Sequence, residues 1–479
     1  MLIASEVIKN SGIQFGTSGA RGLVSQFIPE VCAAFTLAFV GTMNKLSPIR
    51  KVAIGIDNRP SSQNIARACA AALQSANISY VYYGVIPTPA LAYAAMQEGI
   101  SCIMVTGSHI PFDRNGLKFY TPSGEITKSD ESYILSSNYA FAPIDELPDL
   151  LIDNSAALMY ERRYINLFNN NILSGKKIGV YEHSSAGRDI YIHLFRSLGA
   201  EVISLGRSDD FVPIDTEAVS EEDMEKALFW SKKYKLDAIF STDGDGDRPL
   251  VADENGRWIR GDILGLLSAR QMNIEALAIP VSCNSIIDRC LDFAVVEHTK
   301  IGSPYVIEAL SKLSDRYQPI AGFEANGGYI LGSDVTINGA ILKALPTRDA
   351  VLPALMLFFS AKDKCISSLV HEWELRQTYS DRIKNFPNEN SNKIIQYGVL
   401  HTQEFLSLIG FSEEQFSSVD LTDGLRIFLS SGDIIHLRAS GNAPELRCYA
   451  ESTTVIQAKE LVNRVLSNVV LIDTSLFVN

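Results

Sequence analysis

The hydrophobic and polar positions of the chain follow one pattern twice. Residues 51–84 and residues 176–206 each contain a short apolar run, a serine-bearing turn, an amphipathic stretch and a second apolar run that ends at glycine. In the first copy, Ile65, Cys69 and Leu73 recur at the spacing of one helix face. Both copies therefore predict a βαβ unit. A looser third copy begins at residues 277–283, and we expect its helix over residues 286–291.

The last quarter of the chain has a different pattern. Residues 421–452 alternate short strands with tight turns, and the helical segment IQAKELVNRVLSNV follows. Repeated βαβ units imply mostly parallel, helix-covered sheets with ligands at the carboxyl ends of strands. We therefore predict an α/β fold with three related mixed-sheet α/β domains and a C-terminal α+β domain. The predicted domains are residues 1–150, 151–256, 257–368 and 369–479.

Length and composition limit the class of protein. A chain of 479 residues is too long for one hydrophobic core, and about two to four domains are expected. With 46% hydrophobic and 20% charged residues, the composition is that of a well-packed soluble protein. The net charge of −13 argues against a nucleic-acid partner, because binding a phosphate backbone requires a basic face. Any bound anion therefore needs a local basic pocket.

The cysteines and the first residues bear on the cellular compartment. The 7 cysteines are scattered and odd in number, which predicts reduced thiols, most of them buried as small apolar side chains. The opening MLIASEVIKN lacks the basic and apolar regions of a signal peptide, and the longest apolar stretch is too short to cross a membrane. We expect a cytoplasmic protein without a membrane partner, and both a monomer and a homodimer remain open.

The segment FSTDGDGDRPL, residues 240–250, is a candidate metal loop. Asp243, Asp245 and Asp247 follow a predicted strand, and like charges this close repel one another unless a cation lies among them. Mg²⁺ or Ca²⁺ would suit such oxygen ligands. A solvated acidic turn and an EF-hand are the alternatives. The EF-hand is disfavoured because Arg248 occupies the position that requires glycine and a strand leads in. Arg248 is suited to hold a phosphate beside the metal.

The segment VTGSHIPFDRNGLKFY, residues 105–120, contains a candidate nucleophile. Ser108 lies in a Gly-Ser-His turn directly after an apolar strand, close in sequence to His109 and Lys118. Taken alone, the segment also fits an ordinary Gly-Ser turn with a solvated lysine. It lacks the G-x-S-x-G pattern of hydrolases, which argues against a Ser-His-Asp triad.

Five segments between residues 15 and 452 resemble the α-D-phosphohexomutases, the phosphoglucomutase and phosphomannomutase superfamily. FGTSGARG (15–22) resembles the N-terminal signature, TGSHIP (106–111) the phosphoserine loop, and DGDGDR (243–248) the metal loop. GFEANGG (322–328) resembles the sugar-recognition loop, and RASGNAPELR (438–447) the C-terminal phosphate-binding loop. Their order and spacing are more specific together than any segment alone.

This resemblance implies four domains around a central cleft, each of which supplies one loop: phosphoserine, metal, sugar-recognition and phosphate-binding. It implies that Ser108 carries a phosphoryl group and joins Asp243, Asp245 and Asp247 as a ligand of Mg²⁺. In the family, the phosphoryl group passes to a hexose monophosphate and forms a hexose bisphosphate intermediate. The other phosphoryl group then returns to serine, so that hexose 6-phosphate and hexose 1-phosphate interconvert.

The resemblance also distributes roles among polar residues. Arg248 and Arg21 would neutralise the transferring phosphoryl group. Lys118, with a pKa lowered in a positive cleft, is the first candidate for the general base, and His109 is the second. Contacts to the substrate are expected from Ser18, Arg21, Gly302, Ser303, Glu324, Asn326, Arg438, Ser440, Gly441, Asn442 and Arg447.

Departures from the family patterns bear on the sugar. Ile110, Gly328 and the pair Asn442–Ala443 differ from the usual residues, whereas the serine, the aspartates and the arginines are kept. GFEANGG together with LPTRDAVLP (345–353) resembles the phosphomannomutase branch, with phosphoglucomutase as the alternative. A non-catalytic sugar-phosphate-binding protein would have lost Ser108 or a metal aspartate. A phosphatase with an aspartate nucleophile would not need the seryl loop.

Overall fold

The computed structural model describes residues 1–16, 18–45, 48–168, 171–373, 376–440 and 444–472. The first sheet is built on β4, a buried apolar strand that pairs in parallel with β5 and β6, while β7, β3 and β2 continue antiparallel beyond β6. The elements of this region are β1 (Leu2–Ile3), α1 (Ala4–Ser11), β2 (Gln14–Phe15), β3 (Ala20–Leu23), a 3₁₀ turn (Val24–Gln26), α2 (Pro29–Met43), β4 (Lys51–Ile56), α3 (Ser62–Ser75), β5 (Ser79–Val85), α4 (Thr88–Glu98), β6 (Ser101–Val105), β7 (Arg114–Thr121), β8 (Gly124–Glu125), α5 (Lys128–Leu135) and β9 (Ala140–Phe141).

The second sheet repeats this arrangement. Its elements are α6 (Ser155–Ile165), β10 (Lys177–Tyr181), α7 (Arg188–Ser197), β11 (Glu201–Leu205), α8 (Glu221–Tyr234), β12 (Ala238–Thr242), β13 (Pro249–Ala252) and β14 (Trp258–Ile259). Strand β10 pairs in parallel with β11 and β12, and β13 and β14 extend the sheet antiparallel.

The third sheet has the same order again. Its elements are α9 (Gly261–Gln271), β15 (Ala276–Pro280), a 3₁₀ turn (Ser285–Arg289), β16 (Val295–Thr299), α10 (Ser303–Leu313), β17 (Ile320–Phe323), β18 (Tyr329–Leu331), β19 (Val335–Ile337), β20 (Ala340–Leu342), β21 (Leu345–Asp349), α11 (Val351–Ser360) and α12 (Ile366–His371). Strand β15 pairs in parallel with β16 and β17, followed by antiparallel β18 and β21, and β19 and β20 form a separate hairpin.

One predicted helix is absent from the third copy. The expected helix over residues 286–291 is a short 3₁₀ turn, Ser285–Arg289, that begins after Asn284. Ile286 and Ile287 are buried within this turn, whereas Leu291, at the end of the predicted helix, is 96% exposed. The apolar face is therefore not buried over the whole predicted length, and burial of that face is what stabilises a longer amphipathic helix.

The C-terminal sheet is antiparallel, in the order β22-β26-β25-β24-β23. Its elements are β22 (Gln377–Lys384), α13 (Asn388–Leu400), α14 (Thr402–Leu408), β23 (Phe416–Asp420), β24 (Leu425–Leu429), β25 (Ile434–Ala439), β26 (Glu445–Ser452) and α15 (Val455–Val469). The predicted fold class of three related mixed-sheet domains and a C-terminal α+β domain is thereby confirmed. The residue ranges given for the domains remain predictions, and β14 pairs with β13 of the second sheet.

The apolar cores explain how the units are joined. One cluster of buried side chains runs through the first three sheets and includes Tyr160, Phe195 and Phe323. Each fully buried side chain of this size stabilises the packed state by roughly 1.5–3 kcal/mol, so these units are strongly coupled. The C-terminal unit has its own cluster, around Phe405 and Val462. Its contacts with the third unit include polar ones, such as Glu451 with Ser285 and Asp423 with the Ile301 N–H.

The cysteines lie largely in these cores. Cys365 is exposed, and the other six cysteines are buried, which confirms the expectation that most serve as small apolar side chains. In the part of the chain that the structure describes, no helix combines the length and the apolar character needed to cross a membrane.

Candidate active site

Ser108 lies in the turn that leaves β6, a fully buried apolar strand. Its φ of 55° is left-handed, a conformation that costs a non-glycine residue on the order of 1–3 kcal/mol. The Oγ1 atom of Thr106 stabilises the turn by accepting a hydrogen bond from the Ser108 N–H at 2.7 Å. The buried Ser108 hydroxyl donates to Oδ2 of Asp243 at 2.6 Å, which brings the two predicted loops together.

Arg59 holds this turn from the loop that follows the neighbouring strand β4. It is buried, and its Nε lies 3.1 Å from Oδ2 of Asp57. Its guanidinium lies over the ring of Phe211, with Cζ 4.0 Å from the centroid. Its terminal nitrogens donate to the main-chain carbonyls of Ser108, Ile110, Pro111 and Arg114. Sequence analysis missed this residue, although its position was a signal, because the carboxyl ends of parallel strands meet at one edge of a sheet.

The metal loop connects β12 to β13. Asp243, Asp245 and Asp247 are fully buried, and one oxygen of each lies within 4.8 Å of the others. Gly244 permits the approach to the seryl turn, since a Cβ at this position would lie 2.8 Å from the Ser108 carbonyl oxygen. Gly246 has a φ of 71°, which glycine adopts without strain, and turns the chain between the second and third carboxylates.

The carboxylate cluster fits a divalent metal. Oδ1 of Asp245 and Oδ1 of Asp247 are buried and form no hydrogen bond with the described residues. Buried carboxylate oxygens without a donor are costly, and hard divalent cations prefer such ligands. The Oδ2 atoms of the same residues contact Lys118 Nζ, at 2.6 Å from Asp245 and 2.8 Å from Asp247. The lysine therefore balances one side of the cluster and leaves the other side available to a cation.

The three carboxyl groups have different pKa values because their neighbours differ. Burial raises the pKa of Asp243 well above its usual range, and the charges of Asp245 and Asp247 add to that effect. Burial also opposes ionisation of Asp245 and Asp247. Lys118 nevertheless lowers the pKa of Asp245, and Arg348 lowers the pKa of Asp247. Asp243, beside Ser108, is therefore the carboxyl group of the cluster whose ionised form is least stabilised by its protein neighbours, and the negative charge lies mainly on Asp245 and Asp247.

Lys118 does not have the lowered pKa that we predicted. Burial by itself would lower the pKa of Lys118, but the carboxylates of Asp245 and Asp247 outweigh burial and raise it. The prediction was wrong because the immediate neighbours of this lysine are acidic. A general base needs the neutral amine, whereas this environment favours the ammonium form.

His109 has the opposite behaviour. Burial, followed by the charges of Arg248 and Arg21, lowers the pKa of His109 to about 3, so the imidazole is neutral at physiological pH. Its Nδ1 lies 3.3 Å from Ser108 Oγ and 2.9 Å from Arg248 Nη1. His109 therefore connects the seryl oxygen to Arg248.

Arg21 and Arg248 form the local basic pocket that an acidic chain requires for anion binding. Burial, followed by the charge of Arg248, lowers the pKa of Arg21 to about 10, which means that the two guanidinium groups are close enough to repel. Arg248 also lies near the metal loop, with its Nε 3.8 Å from Oδ1 of Asp247. Two crowded cations beside a serine are suited to share an anion such as a phosphoryl group.

The sugar-recognition loop lies between β17 and β18. Glu324 and Asn326 are buried there, and Oδ1 of Asn326 accepts a hydrogen bond from the Gly328 N–H at 3.0 Å. Arg348, on β21, joins this loop to the metal loop. It donates to Oδ2 of Asp247 at 2.7 and 3.1 Å and to Oε2 of Glu324 at 3.2 Å. Sequence analysis assigned no role to Arg348, because no local pattern names the partners of a buried arginine.

Ser18 and Ser303, which lie far apart in the chain, meet at Glu125. The hydroxyl of Ser18 lies 3.4 Å and that of Ser303 lies 3.2 Å from Oε2 of this carboxylate. Gly302 precedes α10 with a φ of 136°. Ser18, Glu125 and Lys118 line one small cavity. The predicted N-terminal and Gly-Ser turns are thus brought to the same place, and the sequence did not identify Glu125.

Arg438 and Arg447 are direct partners across β25 and β26. Cross-strand partners project on the same face of a sheet, so the two guanidinium groups lie side by side. Glu217 lies within electrostatic range of Arg447, and also of Arg248 and Glu324, so this pair faces the metal and sugar loops. Glu217 was also missed in the sequence. Ser440 is buried directly after β25, whereas Gly441 and Asn442 lie outside the described residues.

A strained serine beside a carboxylate cluster, with arginines from separate domains facing both, defines a multidomain α/β enzyme of phosphoryl transfer. Family models of phosphoglucomutase/phosphomannomutase match the chain in order. Alpha/beta/alpha domain I covers residues 12–139, domain II residues 162–256, domain III residues 260–375, and the C-terminal domain residues 389–467. The chain belongs to the phosphoglucomutase/phosphomannomutase family and is a phosphohexomutase.

Individual relatives agree with this assignment. A phosphomannomutase of Salmonella muenchen is 58% identical over 464 residues, which cover 97% of each chain. A phosphomannomutase of Sinorhizobium fredii is 41% identical over 467 residues, which cover 94% of this chain and 97% of the relative.

Solved structures match over nearly the whole chain. A phosphoglucomutase/phosphomannomutase family protein from Burkholderia thailandensis has a TM-score of 0.73 at 18% identity and covers 98% of both chains. A putative phosphomannomutase from Thermus thermophilus has a TM-score of 0.74 at 20% identity and covers 95% of this chain and 98% of its own. At these identities the two structures bear on the fold alone.

Proposed function

We propose that the protein is a phosphomannomutase that interconverts mannose 6-phosphate and mannose 1-phosphate. The choice of sugar is supported by the relatives of that name, at 58% and 41% identity. The observation that carries the proposed chemistry is the 2.6 Å contact between Ser108 Oγ and Asp243 Oδ2, at the edge of the carboxylate cluster.

We assign Ser108 as the carrier of the phosphoryl group. The bond between phosphorus and Ser108 Oγ breaks as a bond forms to a free hydroxyl of the hexose monophosphate. The proton of that hydroxyl ends on the released Ser108 oxygen, and a hexose bisphosphate results. Transfer of the other phosphoryl group back to Ser108 completes the exchange between C6 and C1. Mg²⁺ is the metal that we assign to Asp243, Asp245, Asp247 and an oxygen at Ser108, where it would supply charge neutralisation next to the phosphoryl group.

The cationic side chains have electrostatic roles in this proposal. Arg248, Arg21 and Lys118 surround the position of the transferring group, and phosphoryl transfer depends mainly on positioning and on neutralising the equatorial oxygens. Because Asp245 and Asp247 favour the ammonium form of Lys118, we assign Lys118 to charge balance and not to proton abstraction. His109, with Nδ1 3.3 Å from Ser108 Oγ, orients the seryl group.

The remaining residues bind the parts of the substrate that do not react. Arg438 and Arg447 grip the second phosphate, with Ser440, Gly441 and Asn442 from the same loop. Glu324 accepts hydrogen bonds from sugar hydroxyls. The other residues that contact the sugar are Asn326, Ser18, Gly302 and Ser303. The phosphate-binding residues are fixed, and fewer residues contact the sugar. The substrate can therefore bind in two orientations, as exchange of the phosphoryl group between C1 and C6 requires.

The test combines a substrate comparison with a variant. We expect higher kcat/KM for mannose 6-phosphate than for glucose 6-phosphate, assayed with Mg²⁺ and a trace of the hexose bisphosphate. Ser108→Ala should lower turnover on the order of 10³-fold or more, and mass spectrometry of the wild type should find phosphoserine at position 108. Ser123→Ala, an exposed serine of the same domain, is the matched control. Near-normal turnover of Ser108→Ala would contradict the chemistry, and a preference for glucose 6-phosphate would contradict the sugar.

A further inference from the structure

A second basic cavity lies apart from the residues assigned above. It has a volume of about 510 Å³, within the usual range of small-molecule sites. Three parts of the fold enclose it: α4, the segment from α6 to residue 167, and the strand β20 with the residue that follows. Its lining residues are Tyr93, Ser155, Leu158, Met159, Arg162, Arg163, Asn166, Leu167, Ala340, Ile341, Leu342 and Lys343.

The lining of this cavity is basic, whereas the whole chain is acidic. The protein carries 55 acidic and 42 basic residues, yet the lining has three cations, Arg162, Arg163 and Lys343, and no aspartate or glutamate. Lys343 pairs with Asp334 at 2.7 Å on the exposed side of the hairpin. Arg162 is exposed, and its side chain forms no ion pair or hydrogen bond with the described residues. Asp334 and Asp349 partly balance Lys343 and Arg163 from outside the lining, whereas Arg162 has no acidic partner among the described residues, and such a cation in a basic lining is suited to bind an anion.

Arg163 is a preorganised part of this site. It is only 7% exposed, its guanidinium lies over the ring of Tyr93 with Cζ 4.8 Å from the centroid, and its Nη2 donates to the Lys343 carbonyl at 2.7 Å. Its Nη1 has no hydrogen bond to any described residue. A guanidinium fixed on one edge and free on another offers a donor at little cost in conformational entropy.

The rest of the wall is apolar. Leu158 and Ile341 are 49% and 63% exposed at the mouth, and Met159 and Leu167 lie behind them. An inorganic phosphate would contact the arginines and leave this wall in water. A ligand with a planar or apolar body next to its phosphate would cover both parts.

We propose that this cavity is an effector site for an organic phosphate, a phosphate monoester with a planar or apolar body. The phosphate binds Arg162 and Nη1 of Arg163, and the body packs on Leu158 and Ile341. The proposal is independent of which hexose the enzyme converts.

A connected set of contacts leads from this cavity to the metal loop. Nε of Arg163 lies 3.4 Å from the hydroxyl of Tyr164, which donates to Asp349 on β21. Asp349 also accepts a hydrogen bond from Tyr160 at 2.6 Å. The preceding residue, Arg348, binds both Asp247 and Glu324. An occupant that moves Arg163 therefore changes the support of β21, which positions two loops of the active site.

The binding test uses the full chain with Mg²⁺ and two probes, adenosine 5′-monophosphate and inorganic phosphate, followed by isothermal titration calorimetry. Arg162→Glu should weaken binding of the nucleotide by about tenfold or more, the loss expected for one charge-assisted contact. The matched control is Arg196→Glu, which makes the same charge change at an exposed arginine in the last turn of α7. Ile341→Ser should weaken nucleotide binding and leave phosphate binding unchanged.

The variant Arg438→Ala distinguishes binding of the probe in this cavity from binding in the catalytic cleft. Binding that is lost in Arg438→Ala and unaffected by Arg162→Glu would place the probe in the cleft and overturn the proposal, as would the absence of binding at millimolar probe.

The mutase assay tests the effector role. The nucleotide should change kcat or KM of the wild type and of Arg196→Glu but not of Arg162→Glu, whose activity without the probe should be normal. Unchanged kinetics at a saturating probe concentration would refute the effector role.

Discussion

Oγ of Ser108 lies 2.6 Å from Oδ2 of Asp243, although 135 positions separate the two residues. Each residue follows the carboxyl end of a buried strand, β6 in the first sheet and β12 in the second. The contact therefore depends on how two separate sheets face each other. It places a hydroxyl at the edge of a carboxylate cluster with unsatisfied oxygens, which is the arrangement on which the proposed chemistry rests.

Arg59 should set the position of Ser108. In Arg59→Lys the charge remains, but a lysine cannot bind together the carbonyls of Ser108 and of the residues after it that the planar guanidinium holds. We expect kcat to fall about 10²-fold, because displacement of a reacting atom by about 1 Å has effects of this size. Steady-state kinetics and a thermal melt measure the effect. Arg67→Lys is the control, since Arg67 also binds main-chain carbonyls, those of Leu147 and Pro148, away from the site. Equal kcat values in the two variants would contradict this role.

Arg348 should stabilise the contact between the metal loop and the sugar-recognition loop. Arg348→Met removes the ion-pair partner of the buried Glu324 and leaves the buried Asp247 with Lys118 alone, so the free energy of unfolding should fall by about 3–5 kcal/mol. Added Mg²⁺ should restore part of this loss, because a cation offsets the uncompensated charge of Asp247. Denaturant unfolding with and without Mg²⁺ measures both effects, with Arg348→Lys as the variant that keeps the charge. A stability equal to wild type without Mg²⁺ would exclude this role.

Arg438 should bind phosphate without regard to the sugar. Arg438→Ala should raise KM for mannose 6-phosphate and for glucose 6-phosphate by a similar factor, about 10- to 100-fold, which corresponds to the loss of charge-assisted hydrogen bonds. Lys459→Ala, an exposed cation on α15 of the same domain, should leave both KM values unchanged. A change in KM for only one of the two substrates would show that Arg438 contributes to recognition of the sugar instead.

His436 should make the C-terminal domain sensitive to acid. Burial lowers the pKa of His436 from 6.5 to about 4, so between these values the unfolded chain binds a proton that the folded chain does not. The stabilising contribution of the neutral imidazole is complete above pH 6.5 and is lost as the pH falls toward 4. Between pH 7 and pH 5 the loss should be about 2 kcal/mol.

Urea unfolding of wild type and His436→Gln at the two pH values tests this prediction. Carboxyl groups contribute to the acid sensitivity of both proteins, so the informative quantity is the difference between their losses. The variant should lose about 2 kcal/mol less than wild type between pH 7 and pH 5. Identical losses would show that His436 is not the group responsible.

Much of the site was predicted from local pattern. The seryl turn and the aspartate loop follow buried apolar strands, and a polar turn at that position lies at the carboxyl edge of its sheet whatever the rest of the fold does. Arg438 and Arg447 flank a turn between antiparallel strands, so their pairing also follows from local geometry. The helix predicted over residues 286–291 shows the limit of this reasoning, since only part of its apolar face is buried and the segment forms a 3₁₀ turn.

The sequence by itself determined the repeated βαβ pattern, the separate C-terminal unit and the two loops that carry the proposed chemistry. Only the tertiary structure decided that Arg59 and Arg348 support these loops, that Glu125 joins Ser18 to Ser303, and that Lys118 has a raised pKa. The physical reason is the distance along the chain over which each kind of interaction acts. Hydrophobic periodicity and turn chemistry act over a few residues, whereas a buried charge takes its partner and its pKa from side chains that only packing between domains brings within a few ångströms.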